Sequence, residues 1–404
     1  MGLGKLECDR IVDILTLRYS PHDECSFLPA LHWEDFVEFE GIGAAVEPVL
    51  EGIVKRELSI LRPRKVGIAI SGGVDSTIVT AFLRKLDPEL RLETLCVTFG
   101  EDTKEAPDAK MISEIYSTNH EEVNVANPIS TLPLQISIVK EPRWNTYWYF
   151  VADNLRNRCD VLFTGDGGDE LFGGYIFRYE KFTGSVQNNM SAVRKTQLYL
   201  DCHERDWVPD QENIFGERLQ FSWDSILRKL ECHFNNPLPL LGQVFLADYN
   251  GKLLHDYVPT NRSIYDWFKM KSVQPLLSKE MIAVATHIPY RLKYDSVNKV
   301  GKIVLRKILM DNFGYSASVK KKVGFGMDLL QIWHDEGREI CKSILENARI
   351  VKEGYIREEW IDRTFNRLSN DPDHRYINKM FALLAFEVWY RLFVTHELSP
   401  HDKL

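Results

Sequence analysis

Two short stretches combine acidic, hydroxyl and glycine residues in patterns suited to phosphate chemistry. The first is Ser71-Gly72-Gly73-Val74-Asp75-Ser76. Its glycines let the backbone turn tightly with N–H groups facing outward. An apolar helix is expected to open at Ser76 and Thr77, so free N–H groups and the positive end of the helix dipole converge on one point, which suits a phosphate or pyrophosphate. Asp75 in that turn would repel phosphate unless a cation lies between them, which predicts Mg²⁺. No Gly-Lys-Ser/Thr follows, so this is not a Walker A loop. The second stretch is Gly165-Asp166-Gly167-Gly168-Asp169-Glu170-Leu171-Phe172-Gly173-Gly174-Tyr175. Three acidic residues among these glycines repel one another in a plain turn, but they suit a divalent cation that takes oxygen ligands. Asp75 and Asp169, from two neighbouring strand ends, are expected to grip Mg²⁺, and the glycines to admit a nucleotide.

Both stretches need strands to carry them. Val66, Ile68, Ala69 and Ile70 form a short apolar run, as a parallel strand covered on both faces would. Residues 92–99 read as a second strand stopped by Gly100, 121–125 as a third, and 160–164 as a fourth. Helical spacing appears over 40–61, 109–116 and 142–157, with an acidic loop over 101–108. Alternation of strand and helix predicts an α/β fold with a doubly wound parallel sheet, whose ligands lie at the carboxyl ends of the strands. After Tyr175 helical patterns dominate, ending in an aromatic-rich helix over 381–393. The expected organisation is a lead-in over 1–40, a nucleotide-binding α/β core over 41–180, and a mainly helical region over 181–404.

A length of 404 residues exceeds one typical core. The 44% hydrophobic and 27% charged content is that of a soluble globular protein, and the net charge of −8 disfavours nucleic acid as the main partner. Seven scattered cysteines without a C-x-x-C pair read as reduced thiols. Cys202-His203 and Cys232-His233 are adjacent pairs and make poor chelates. Neither a leader nor a membrane-length apolar run is visible, so a cytoplasmic location with no membrane association is expected. Nothing in the sequence sets the oligomeric state.

Ser71-Gly72-Gly73-Val74-Asp75-Ser76 resembles the pyrophosphate loop of enzymes that cleave ATP to AMP and pyrophosphate, within the adenine nucleotide α-hydrolase-like fold. The 165–175 stretch is similar to the second signature of the asparagine synthetase family's synthetase domain. Asp256-Tyr257-Val258-Pro259-Thr260-Asn261-Arg262-Ser263, residues 302–309 and Lys320-Lys321-Lys322-Val323-Gly324-Phe325-Gly326 resemble later segments of that family. The resemblance implies ATP and Mg²⁺ as cofactors. It also implies an acyl-adenylate formed from a small-molecule carboxylate, then attacked by ammonia or another amine. It assigns Ser71, Gly72, Gly73 and Ser76 to the pyrophosphate, and Asp75 and Asp169 to Mg²⁺. Thr164, Gly165 and the backbone near Val97 fall to the adenosine, and Gly168, Asp169, Glu170 and Lys271 to the substrate. Lys322 or Lys321, assisted by Arg306, would stabilise charge on the departing phosphate.

Two departures stand out. The family's glutaminase domain, with Cys after the initiator Met, has no counterpart ahead of the first loop. The chain is therefore expected not to hydrolyse glutamine, and a separate glutaminase subunit is a possible nitrogen source. The family's Glu-x-Arg-x-Pro-Phe-Leu-Asp segment is replaced by Met270-Lys271-Ser272-Val273-Gln274-Pro275-Leu276-Leu277-Ser278, which leaves the acceptor open. Alternatives are an amide-forming or cyclising synthetase for another amino-acid-like substrate, a tRNA-modifying adenylating enzyme, and a non-catalytic nucleotide binder.

Overall fold

The computed structural model describes residues 3–21, 27–100, 105–187, 189–315 and 328–404. Its centre is a parallel sheet of β1 (Lys65–Ala69), β2 (Arg91–Phe99), β3 (Asn119–Val125), β4 (Val161–Phe163) and β5 (Ser272–Val273), in the order β3-β2-β1-β4-β5. Side chains alternate between its faces, as the strand period of two requires. Val66, Ile68, Leu92, Cys96, Val161 and Phe163 enter one apolar cluster. Leu95, Val97, Phe99 and Leu162 enter another on the opposite face, with Tyr149, Phe150 and Leu155. Both faces are covered, which leaves every residue of β2 after Arg91 buried.

The expected doubly wound parallel sheet is present. The chain builds β1, β2 and β3 outward on one side, then crosses back to lay β4 and β5 on the other. The direction of winding therefore reverses between β1 and β4. At such a switch point the loops leaving two adjacent strands diverge and open a crevice.

Element boundaries differ from expectation in several places. The helix after the first loop, α3 (Val74–Leu86), begins two residues early, with Gly73 as its N-cap, so Asp75 and Ser76 lie in its first turn. The helix expected over 142–157 is confined to α6 (Trp148–Leu155), because the preceding residues are held in irregular backbone. There the buried Arg143 guanidinium donates to Asp256 and to the Arg18 carbonyl. The carboxyl-terminal helix runs over His374–Phe393, starting seven residues before the expected 381 because Asp373 caps it by accepting from Arg375 N–H at 2.9 Å. Strand β5 was not expected at all. Two residues give no periodicity to read, and its existence follows only from β4 offering an unpaired edge.

Residues 1–40 contain a further helix, α1 (Lys5–Leu17). Its Ile11, Val12 and Leu15 join the cluster built on the carboxyl-terminal helix. Lys379 of that helix donates to the Leu15 and Asp206 carbonyls and pegs α1 in place.

Candidate nucleotide site

The loops leaving β1 and β4 meet at the switch point. Gly72 takes a left-handed φ of +73°, and an added Cβ would strike Asp108 at the amino end of α4 (Ala106–Ile115). A glycine is required there on both counts. The first N–H groups of α3 have no intrahelical acceptor by the geometry of any helix, and they lie beside the Ser71 and Ser76 hydroxyls. Thr77 Oγ1 donates to the Gly73 carbonyl at 2.7 Å and fixes the turn.

After β4, Thr164 is fully buried and its N–H donates to the Val273 carbonyl at 3.0 Å. Gly165 and Gly168 then pass directly against Asp75. A Cβ at Gly165 would lie 2.6 Å from the Asp75 carbonyl carbon, and one at Gly168 would strike the Asp75 carboxylate. The two glycines thus let the second loop close over the first. Asp169 and Glu170 follow in the short helix α7 (Gly168–Phe172).

Lys302 completes the arrangement. Its Nζ bonds to Asp75 Oδ2 and lies 2.6 Å from Asp169 Oδ1. The side chain arrives from a hairpin of β6 (Tyr294–Asp295) and β7 (Val300–Gly301), whose end packs against Gly173. Burial pulls the Lys302 ammonium toward its neutral form, but Asp169 and Asp75 outweigh that and hold it above the ordinary lysine value. Arg306, one turn along the following helix (Ile303–Phe313), donates from Nε to the Gly301 carbonyl at 2.9 Å. Burial lowers its pKa while the Asp75 charge acts the other way.

Two further carboxyls adjoin this centre. Burial pushes Asp166 up to about 6, helped by the Asp75 charge, although Thr164 and Asn261 both hydrogen-bond to it. The Asn261 amide reaches Asp166 Oδ2 at 3.4 Å. Burial and the Asp169 charge push Glu170 up to about 7, against a hydrogen bond donated by the Tyr175 phenol.

The structure brings together Ser71, Gly72, Gly73, Asp75, Ser76, Thr164, Gly165, Gly168, Asp169, Glu170 and Arg306. Val97 lies in β2 two residues beyond Leu95, whose carbonyl accepts from Ile70 N–H. It therefore stands level with the start of the first loop. Lys271 is not brought to this group. It is exposed, and its carbonyl accepts from Leu162 N–H at the amino end of β5. The site lies at the carboxyl ends, where Gln274, Pro275, Leu276 and Leu277 continue instead, and Leu277 abuts Gly167. Lys321 and Lys322 lie outside the described residues. Lys302 was given no role by sequence, and Asp166 no role beyond its share in the acidic cluster suited to a divalent cation. A lysine opening a helix, where the dipole disfavours a cation, was the available signal for the first. For Asp166 the signal would have been burial, which sequence does not display.

The asparagine synthase family profile matches residues 45–391. The chain belongs to the asparagine synthase family. It is 22% identical over 391 residues to asparagine synthetase [glutamine-hydrolyzing] 1 of Bacillus subtilis, covering 83% of this chain and 57% of that protein. It is 21% identical to a putative asparagine synthetase [glutamine-hydrolyzing] of Mycobacterium tuberculosis, covering 98% of this chain and 64% of the relative. The chain thus spans about three-fifths of the length of these curated relatives. Among solved structures, the NH3-dependent NAD synthetase of Campylobacter jejuni aligns over 52% of this chain and 98% of its own, at 12% identity and a TM-score of 0.26, too low a superposition to bear on the site.

The donor set of this family member fits Mg²⁺. Asp75 and Asp169 offer two hard carboxylates that already converge on one cation, in a cradle that a Cβ at Gly168 or Gly174 would fill. Among the described residues no three His, Cys, Asp or Glu side chains gather as a metal cage, and Mg²⁺ commonly rests on one or two carboxylates plus phosphate oxygens. No helix among the described residues is long and apolar enough to cross a membrane.

Proposed function

We propose that this chain is an ATP-dependent ligase that activates a carboxylate as its acyl-adenylate and joins it to ammonia or another amine, releasing AMP and pyrophosphate. The observation that carries this reading is the meeting of Asp75 and Asp169 at the switch point beside the amino end of α3. Ser71, Gly72, Gly73 and Ser76 would bind the pyrophosphate portion of ATP, with Thr164, Gly165 and the Val97 backbone against the adenosine. Asp75 and Asp169 would hold Mg²⁺, which supplies neutralising charge for the leaving pyrophosphate. Arg306 adds positive charge on the same side, and by resemblance Lys321 or Lys322 does so too.

In the first step a carboxylate oxygen of the substrate bonds to the α-phosphorus. The bond to the bridging oxygen breaks, and its electron pair leaves with pyrophosphate. In the second step the amine attacks the acyl carbon and AMP departs with the carbon–oxygen electron pair. The attacking nitrogen must lose a proton. Asp166, raised toward 6 and aligned by Asn261, is suited to accept it near neutral pH. Asparagine from aspartate and ammonia is the first specific candidate. Val273 and Ser278 stand where the family pattern carries Arg and Asp, and the loss of both charges favours a second reading with a less polar amino-acid-like substrate. Ammonia would come free or from a separate glutaminase, in a cytoplasmic setting.

ATP–pyrophosphate exchange across a panel of carboxylates tests the reading. Exchange with aspartate, and amide formation on adding ammonia, is the expected result for the first candidate. Exchange with another acid but not aspartate removes asparagine, and exchange with none removes the ligase. With the active acid, Asp166→Asn should retain exchange while amide formation slows by about 10²–10⁴-fold. The limb of the wild-type pH profile that falls away below about 6 should vanish with it.

A further inference from the structure

Lys302 sits where a lysine is disfavoured three times over. Its backbone φ of +58° is left-handed, a conformation that side chains rarely adopt. It caps the amino end of the Ile303–Phe313 helix, where the dipole opposes a cation. Its side chain is 6% exposed. The surroundings nevertheless fix it there. The Lys302 N–H donates to the Phe172 carbonyl at 3.1 Å, and Gly301 packs on the Gly173 carbonyl. Gly174 leaves room for the pair, since a Cβ there would lie 2.7 Å from Lys302 Cε and collide with Asp169 Oδ1. Among the described residues, the two carboxylates offset the cost of burying the charge.

We propose that Lys302 is an internal counter-cation that fills the gap between Asp75 and Asp169 in the nucleotide-free protein, so that a divalent cation enters only together with ATP. This rests on the nucleotide-site reading above and adds an order of binding to it. A divalent ion arriving alone would be repelled by the ammonium that already bonds both Asp75 and Asp169. An ion arriving with a triphosphate brings the missing negative charge. Lys302 in this role is a positioning residue, which keeps the carboxylates together without a metal and excludes a premature one.

Mn²⁺ binding to the full chain, followed by the electron spin resonance of the free ion, tests this without turnover. The nucleotide-free wild type should take up no stoichiometric Mn²⁺, and addition of α,β-methylene-ATP should bring one ion in. Lys302→Gln should bind Mn²⁺ without nucleotide about 10- to 100-fold more tightly than wild type, the weight of one close charge. Adding Asp75→Asn to that variant should abolish the gain. A tight stoichiometric Mn²⁺ site in the nucleotide-free wild type overturns the proposal by itself, even if Lys302→Gln fails to fold. Equal Mn²⁺ affinities of a folded Lys302→Gln variant and wild type overturn it too. Lys302→Arg, which keeps the charge, should exclude the ion as wild type does, and uptake by that variant also counts against the proposal. If the ATP analogue recruits no Mn²⁺ to wild type, the nucleotide-site reading fails, while the nucleotide-free comparison still decides the role of Lys302.

Discussion

Lys302 and Lys379 are both almost wholly buried, yet they answer to opposite surroundings. Lys302 faces two carboxylates at the ends of β1 and β4, and its pKa is raised. Lys379 lies in the carboxyl-terminal helix and donates to the backbone carbonyls of Leu15 and Asp206. Burial drives its pKa down to about 7, with the Asp206 charge opposing. Backbone carbonyls satisfy hydrogen bonds without supplying a full countercharge, so burial prevails. The difference separates a site from a fastening. At the strand ends, where we propose that the nucleotide binds, charge is concentrated. In the helical region polar groups tie elements together. Glu387 shows the same fastening role, accepting from the N–H groups of Arg349 and Ile350 at 2.8 and 3.0 Å.

The largest effect expected from breaking this contrast comes at the strand ends. Asp75→Asn should lower ATP–pyrophosphate exchange by about 10²–10³-fold, the usual weight of one group aimed at developing charge. Its circular dichroism should match wild type, since Asp169 still partners Lys302. Exchange within a few-fold of wild type would remove Asp75 from the metal pair. Lys379→Met should do the reverse. It removes the donor to the Asp206 carbonyl and one of two donors to the Leu15 carbonyl, which keeps the Gln211 amide at 3.2 Å, and should cost about 2 kcal/mol of unfolding free energy by urea titration. Nucleotide-dependent Mn²⁺ uptake should be unchanged below the unfolding transition. A loss of uptake in the folded variant would show that the two regions are not separable.

Much of the site was legible because it obeys local rules. A strand, a glycine turn and a helix are adjacent in sequence, so the loops at Ser71 and Gly165 and the carboxylates Asp75 and Asp169 could be read directly. What stayed hidden depends on distant segments meeting. Lys302 and Asp75 are far apart in the chain and touch because a hairpin of two short strands packs on Gly173. Strand β5 is too short to show a period, and Lys271, read by its position in a motif, turns out to stand at the wrong end of it. The buried role of α1 was invisible for a related reason. It was read only as part of a lead-in, because the surface that covers it comes from Lys379, Met380 and their neighbours, at the opposite end of the chain.

A third lysine sharpens the comparison further. Lys293 is fully buried, and its Nζ finds no hydrogen-bond acceptor among the described residues. It lies over the rings of Phe245 and Tyr290, at 4.6 and 5.8 Å from their centroids. Burial drives its pKa down to about 7, with Glu38 opposing. An aromatic face offsets part of the desolvation cost of an ammonium but not all of it. Lys293→Met keeps the length of the side chain and removes the polar head, so it should stabilise the protein by about 1 kcal/mol at pH 6. The sign of the pH dependence follows from linkage. The folded pKa lies below the unfolded value of about 10.4, so between about 7 and 10 the unfolded wild type binds more protons than the folded one. Wild-type stability therefore rises with pH across that window, while the variant lacks this contribution. The advantage of Lys293→Met should shrink between pH 7 and 9 in paired urea titrations. A constant or growing advantage would mean that Lys293 keeps its proton in the fold, with the two rings and Glu38 together acting as a countercharge, as Asp75 and Asp169 do for Lys302.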